Sequence, residues 1–324
     1  MQKNKLENSN ILVTGGGGLV GSHIVDLLCK EDCNIMVYDS FIRGRTEHLN
    51  NAKKSGKIEI IQADLRDTNK LNQAVKKADY VVHQASAWLR QCQETPRLSL
   101  DVTINGTFNL LESCVKNNVK KIVAASSSSV YGEGLYLPTD ENHPFNNDLF
   151  YGAAKVANEQ HYKAFFKKYN LKFVAFRYLN VYGPRQPFQA AYMDVIMHFL
   201  NRIDENKSPL VRGDGSSTVD LVFVEDVARA NVLALKSDVH NEFFNVCSGE
   251  QTTIKKLAEI LIELSGKHNL LKPEFVKMDN DLVSKRHGCP KKIKKLLNFV
   301  PKFKIEDGLK KVIEWRKLVK NGKK

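Results

Sequence analysis

The sequence has no apolar run near the ~20 residues needed to span a bilayer. Its first ten residues, Met1 to Asn10, are polar and lack the apolar stretch of a secretory leader. Both absences lead to the expectation of a cytoplasmic chain with no membrane partner. Paired cysteines are also missing. Cys29, Cys33, Cys92, Cys114, Cys247 and Cys289 form no C-x-x-C spacing, and 324 residues far exceed the small secreted chains that depend on disulfides. They read as reduced thiols, several of them core residues. The nine histidines show no H-x-x-E-H or similar ligand spacing, so no metal is expected. No zinc-finger, RNA-recognition or basic-zipper pattern accompanies the net charge of +13. The lysines run along the whole chain, with local excess near 291–295 and 317–324. They read as a solvated surface and not as a nucleic-acid face, and their field suits a phosphate-bearing small molecule.

What the chain does contain is a regular alternation. Apolar runs at Ile11–Val13, Ile35–Tyr38, Ile58–Ile61, Tyr80–Val82, Lys121–Ala124 and Lys172–Phe176 read as buried strands. Helical patterns fall between or after them, near 19–30, 67–77, 99–117 and 151–169. This is the pattern of an α/β fold, a doubly wound parallel (Rossmann) sheet with ligands at the carboxyl ends of its strands. After about Asn180 the pattern loosens around Gly183–Pro184–Arg185 and Arg212–Gly215, with helices expected near 226–236, 253–265, 291–297 and 305–319. The expected division is a cofactor domain over 1–178, with return segments near 218–246, and a smaller interleaved substrate lobe over 179–324.

Three signals carry chemistry. Thr14-Gly15-Gly16-Gly17-Gly18-Leu19-Val20-Gly21 joins an apolar strand to an amphipathic helix, where glycines let a pyrophosphate reach the amides of a helix N-terminus. Asp39 closes the second strand, placed for the ribose hydroxyls of NAD and against the extra phosphate of NADP. Asp64, after the third strand, is placed to meet adenine. The second signal is Tyr151 and Lys155, which share a helical face; the lysine cation and a nicotinamide charge are expected to lower the phenol pKa and make Tyr151 a base. With ten tyrosines and 37 lysines in the chain, one such pair arises by chance, so its weight comes from its position. It lies about twenty residues after the third signal, the serine run Ser126–Ser129, which follows a buried strand.

In this order the residues resemble the extended short-chain dehydrogenases, in particular the NAD-dependent nucleotide-sugar epimerase and dehydratase family. The resemblance also takes in His83-Gln84-Ala85-Ser86-Ala87, Asn105–Glu112, Arg177–Arg185, Gly213–Gly215, Val224–Val227 and Lys285-Arg286. It implies Ser127, Tyr151 and Lys155 as the catalytic set. For the cofactor it implies Gly15, Gly17, Gly18, Leu19, Val20, Gly21, Asp39, Arg43, Asp64, Leu65, Gln84, Ala85, Ser86 and Tyr178, together with Tyr151 and Lys155. For a nucleotide-sugar substrate it implies Ser127, Ser128, Tyr151, Asn180, Arg185, Arg212 and Arg286, with Arg185 suited to a diphosphate or a sugar carboxylate. The family's dehydratases carry an Asp-Glu pair after the catalytic hydroxyl, and its glucuronate decarboxylases commonly a Glu at the second position. Ser128 and Ser129 stand there in this chain, so the resemblance narrows to a UDP-glucose 4-epimerase-like activity on UDP-glucose, UDP-N-acetylglucosamine or UDP-glucuronate.

The rival readings are a UDP-glucuronate decarboxylase or 4-keto-sugar reductase of the same family, and, from another class, a non-catalytic NAD-binding regulator or RNA-associated protein. The family also implies a homodimer through the helices near 99–117 and 151–169. Three departures stand out. Val219 replaces a common phosphate-binding arginine, Cys289 replaces a usual Asp, and Ser86 a usual Ala. Arg212 is the candidate substitute for the missing arginine.

Overall fold

The computed structural model describes residues 6–187, 194–277 and 285–322. Six strands follow one another along the first half: β1 (Ser9–Thr14), β2 (Cys33–Asp39), β3 (Ile58–Gln62), β4 (Tyr80–His83), β5 (Lys121–Ser127) and β6 (Phe173–Tyr178). With the later strand Glu242–Val246 they form one seven-stranded sheet in the order Glu242–Val246, β6, β5, β4, β1, β2, β3. Every pairing in it is parallel. The order reverses between β1 and β4, the switch point at which such sheets bind ligands.

The strands read as nearly continuous apolar runs because both faces are covered. Ile11 and Val13 of β1 enter one core while Leu12 enters the other; Ile35 and Val37 of β2 oppose Met36 and Tyr38 in the same way. The first core is closed by Ile24, Val25 and Leu28 of the helix Leu19–Leu28 and by the apolar face of Val224–Lys236. The second is closed by Leu71 and Val75 of Thr68–Val75, Leu110 and Cys114 of Gly106–Lys116, and Tyr162 and Phe165 of Phe150–Tyr169. The expected helix over 99–117 is a continuous rod whose first part, Ser99–Asn105, is wound wider, with π-helical turns.

A third core draws on residues from Tyr182 to Ile313. It gathers the buried faces of Val195–Asp204, Ile254–Leu264 and Ile305–Lys320. Asn180–Tyr182 pairs in parallel with Leu221–Phe223 and links this core to the end of β6. The helix Val195–Asp204 had no counterpart among the expected elements. Asp194 caps it by accepting the Met197 N–H at 3.0 Å, and Ile196, Met197, Phe199, Leu200 and Ile203 make its buried stripe. Five of the six cysteines are buried, and all six are free thiols. Among the described residues no helix is long and apolar enough to cross a membrane.

Candidate functional site

The glycine turn is built for close approach. Gly15 has φ +70°, and a Cβ there would lie 2.7 Å from the Ala85 nitrogen; a Cβ on Gly21 would lie 2.1 Å from the Gly15 oxygen. Only glycine satisfies both demands. Gly18 caps the helix Leu19–Leu28 without any side-chain bond, so the first-turn amides of Leu19 and Val20 are left for an anion. Asp39 lies beside the turn, accepting the Gly17 N–H at 2.8 Å and the Phe41 N–H at 2.8 Å. Its carboxylate therefore fixes the turn and the loop after β2, and each oxygen retains a lone pair for a ribose hydroxyl. An uncapped helix end, a cradle that any Cβ would fill and a carboxylate at the second strand together fit a dinucleotide.

The β4 side completes the cradle. His83 Nδ1 lies 2.7 Å from Thr14 Oγ1 and its Nε2 2.9 Å from Thr107 Oγ1. Burial, helped by the Lys155 charge, lowers its pKa to about 3, so it is a neutral link between β1 and the helix layer. Gln84 accepts from the Tyr178 hydroxyl at 3.1 Å and donates to Asn231 at 3.2 Å. Ala85 N–H points to Thr14 Oγ1 at 3.4 Å, and Ser86 Oγ donates to the Ala87 carbonyl at 2.8 Å. Leu65 is buried against Gly106. Asp64 is engaged by Arg66, which donates from Nε at 2.9 Å and Nη2 at 2.8 Å, so it would meet adenine as half of an ion pair. That hydrogen bond, more than burial, holds its carboxyl below the usual range.

At the end of β5, Ser127 Oγ accepts the Ser129 N–H and donates to the Ser129 hydroxyl, each at 3.1 Å. Tyr151 sits in the first turn of Phe150–Tyr169 and Lys155 one turn on, its ammonium 5.6 Å from the Tyr151 ring centre and donating to the Ala125 carbonyl at 3.0 Å. The electrostatics correct the expectation of a phenol acidified by its lysine. Burial dominates and pushes Tyr151 up to about 12; hydrogen bonding to Ser127 and the Arg43 charge pull the other way without prevailing. Burial also brings Lys155 down to about 8. In the protein alone Tyr151 is therefore protonated at neutral pH, and any acidifying charge must come with the cofactor.

Beside Ser127 opens a cleft lined among others by Ser128, Tyr131, Thr139, Leu179, Arg286 and His287. Arg286 meets no carboxylate among the described residues, and burial alone presses its guanidinium below the usual arginine range. Asn180, next to Leu179, has a buried side-chain oxygen with no partner among the described residues. A half-buried cation without a carboxylate suits an anionic ligand in the cleft, whereas the Asn180 oxygen calls for a hydrogen-bond donor.

Two of the expected substrate residues are placed elsewhere. Arg185, in the left-handed region at φ +73°, is bound through Nη2 to Asp26 on the helix Leu19–Leu28. That bond lies on the back of the glycine helix, near His23 and His48, while the buried Nη1 of Arg185 has no partner among the described residues. Arg212 is exposed on the short strand Leu210–Arg212, which pairs with Glu274–Val276. Val219 is held in a two-residue antiparallel pair with Thr252–Thr253.

Other residues matter that the motifs did not name. Glu159 is fully buried; it takes both Arg177 nitrogens (2.9 and 2.7 Å) and the Ser126 hydroxyl (2.6 Å). Arg177 continues to the Tyr131 hydroxyl at 3.0 Å, and Tyr131 donates to Asn245 at 2.6 Å. This satisfied network ties the helix of Tyr151 to the serine turn; removing one partner of such a pair costs about 3–5 kcal/mol. The signal was present, since Glu159 lies eight residues after Tyr151 and four after Lys155, on one helical face. Asp220 accepts from Ser248 and from the Gly249 and Gly288 amides, and so fixes the segment that carries Arg286.

The comparisons with known proteins agree with this geometry. The family described as NAD dependent epimerase/dehydratase matches residues 11–247. A structure of UDP-N-acetylglucosamine 4-epimerase from Methanobrevibacter ruminantium, in complex with UDP-N-acetylmuramic acid, superposes with a TM-score of 0.89 at 32% identity, covering 96% of this chain and 98% of that one. The UDP-glucose 4-epimerase of Mycolicibacterium smegmatis is 30% identical over 94% of this chain and 97% of its own length. The UDP-N-acetyl-alpha-D-glucosaminuronate decarboxylase of Bacillus cytotoxicus is 28% identical over 96% and 98%.

Proposed function

We propose, from the premise that the chain belongs to the NAD dependent epimerase/dehydratase family, that it is a nucleotide-sugar 4-epimerase, an isomerase. NAD is the cofactor, and when bound it supplies a hydride acceptor for the sugar C4. Gly15, Gly18 and the first helical turn hold its pyrophosphate, and Asp39 its adenosine ribose. Tyr151 takes the proton of the C4 hydroxyl and later returns it to the oxygen of the opposite configuration. Ser127 keeps that oxygen in place by hydrogen bonding. Arg286 and Asn180 hold the diphosphate while the sugar turns over.

The observation that carries this reading is the lack of a carboxylate at the two positions that follow Ser127. Expelling water from C6 requires a general acid and a base. Ser128 and Ser129 stand there instead; Glu159 is committed to Arg177 and Ser126, and Glu141 accepts the Asn245 N–H at 2.7 Å. The decarboxylase relative motivates a second reading, removal of carbon dioxide from a UDP-uronate. The attachment of Arg185 to Asp26 weighs against it, because a carboxylate of the protein already takes its Nη2. A panel of UDP-, dTDP-, CDP- and GDP-sugars, followed by NMR, tests the assignment. The expected product is a mixture of C4 epimers with no net change in NADH; carbon dioxide release or stoichiometric NADH consumption overturns it. Retention of Tyr151 and Lys155 speaks against a purely regulatory NAD-binding protein.

The same reading includes a homodimer through the rod 99–116 and the helix Phe150–Tyr169. Leu100, Phe108 and Phe150 are exposed on these helices, and Phe108 meets His161 and Phe165 edge-on, giving an apolar face that spans both.

A further inference from the structure

The loops after β2 and β4 flank the glycine turn, because β1 lies between these two strands in the sheet. On the β2 side the loop is pinned to Gly17 several times. A Cβ on Gly17 would lie 2.7 Å from the Phe41 ring, Arg45 N–H donates to the Gly17 carbonyl at 3.0 Å, and His48 Nδ1 lies 2.9 Å from the same oxygen. On the β4 side, Ala85 abuts Gly15 and the loop runs on to Trp88. The two loops then reach each other: the Arg43 guanidinium carbon stands 4.1 Å from the centre of the Trp88 ring, a cation–π contact. Arg43 is otherwise an exposed side chain, and its charge also reaches Tyr151.

We infer that Arg43 and Trp88 form a clasp across the dinucleotide groove that slows the departure of bound NAD. β2, its loop, the Arg43–Trp88 contact, the β4 loop and β4 make a ring around the carboxyl end of β1, where the pyrophosphate of a dinucleotide lies in folds of this type. A catalyst that returns a hydride to the molecule it came from gains from keeping its cofactor between turnovers. The clasp itself rests only on NAD binding at the glycine turn and not on the sugar or the reaction proposed above. A contact of this class changes a release rate by about 3- to 30-fold.

The test is a chase of holoenzyme carrying radiolabelled NAD with excess unlabelled NAD, a readout that needs no sugar. Trp88→Ala and Arg43→Gln should each speed release by about 3- to 30-fold, and the double variant should be no faster than the faster single. Trp88→Phe, which keeps a π face, should stay within about threefold of the parent. Trp88→Leu keeps apolar bulk without the π face and replaces Trp88→Ala should that variant fail to fold. Unchanged release in the singles overturns the clasp. So does a double variant whose effect is the product of the singles, because Arg43 then acts on the cofactor directly. Faster NAD association with unaltered release overturns it as well, since the contact would then be an obstruction in the groove.

Discussion

The cofactor cradle and the cleft beside Ser127 treat charge in opposite ways. At the cradle, the side chains already have partners within the protein, and only backbone amides of the glycine helix stay open: Asp39 is bonded to Gly17 and Phe41, Gln84 to Tyr178 and Asn231, His83 to Thr14 and Thr107. In the cleft, the half-buried Arg286 cation has no carboxylate partner among the described residues. The cradle is thus shaped before anything binds, whereas the cleft carries an electrostatic cost that an anion removes. Such a division suits a cofactor that stays and a substrate that must leave. Tyr151 and Ser127 lie at the seam, and a change there should disturb neither end. Tyr151→Phe should lower turnover by about 10³-fold while NAD content and substrate affinity remain near those of the parent, as read by bound-cofactor analysis and calorimetry. A Phe variant with full activity would remove Tyr151 from the mechanism.

The comparison sharpens at Arg286. Arg286→Gln removes the unpaired cation but keeps hydrogen-bond donors. It should lower kcat/KM by about 10²-fold, the worth of a charge-assisted pair with a diphosphate, chiefly through KM. NAD retention should not change. A loss of NAD instead of a rise in KM would show that the two regions are not separable in this way.

The difference between the regions also explains what the sequence made legible. The cradle is written in consecutive residues at the end of one strand, Thr14 to Gly21, with Asp39 at the end of the next, so spacing and periodicity reveal it. All six strands and the four helices expected in the first half lie where their patterns place them, while the short helices Asn50–Lys53 and Leu89–Glu94 had no pattern to announce them. The cleft is assembled from the serine turn, Thr139, Leu179 and the segment 285–288, which only long-range packing brings together. Arg185 shows the limit. Its motif pointed toward phosphate, but a left-handed backbone turns it to Asp26, a partner 159 residues away. For a related reason the lysine alone does not acidify Tyr151 as its spacing suggested, since spacing shows the lysine but not the depth of burial. Glu159, by contrast, was within reach of a helical-face argument.

Lys155 gives the smallest effect and the finest test, because it belongs to both regions. Its folded pKa of about 8 lies below the ordinary lysine value of 10.5. Between these pH values the unfolded chain binds the additional proton, so the contribution of Lys155 to stability rises with pH and is lost as pH falls through 8. At pH 7 the buried ammonium therefore costs up to about 3 kcal/mol, against about 1 kcal/mol lost when its bond to the Ala125 carbonyl is removed. Lys155→Met should accordingly melt about 4 °C above the parent at pH 7, with the gain vanishing at about pH 10 and turning into a small loss above it, where only the missing bond to Ala125 counts. Tyr151 shifts the other way, its raised pKa contributing stability that is complete below about 10 and lost as pH rises through 12. Melting curves between pH 7 and 10 therefore isolate the lysine. A Met variant that melts below the parent at pH 7 would mean that the ammonium is stabilised in the folded protein, and that the seam, like the cradle, is satisfied before any ligand arrives.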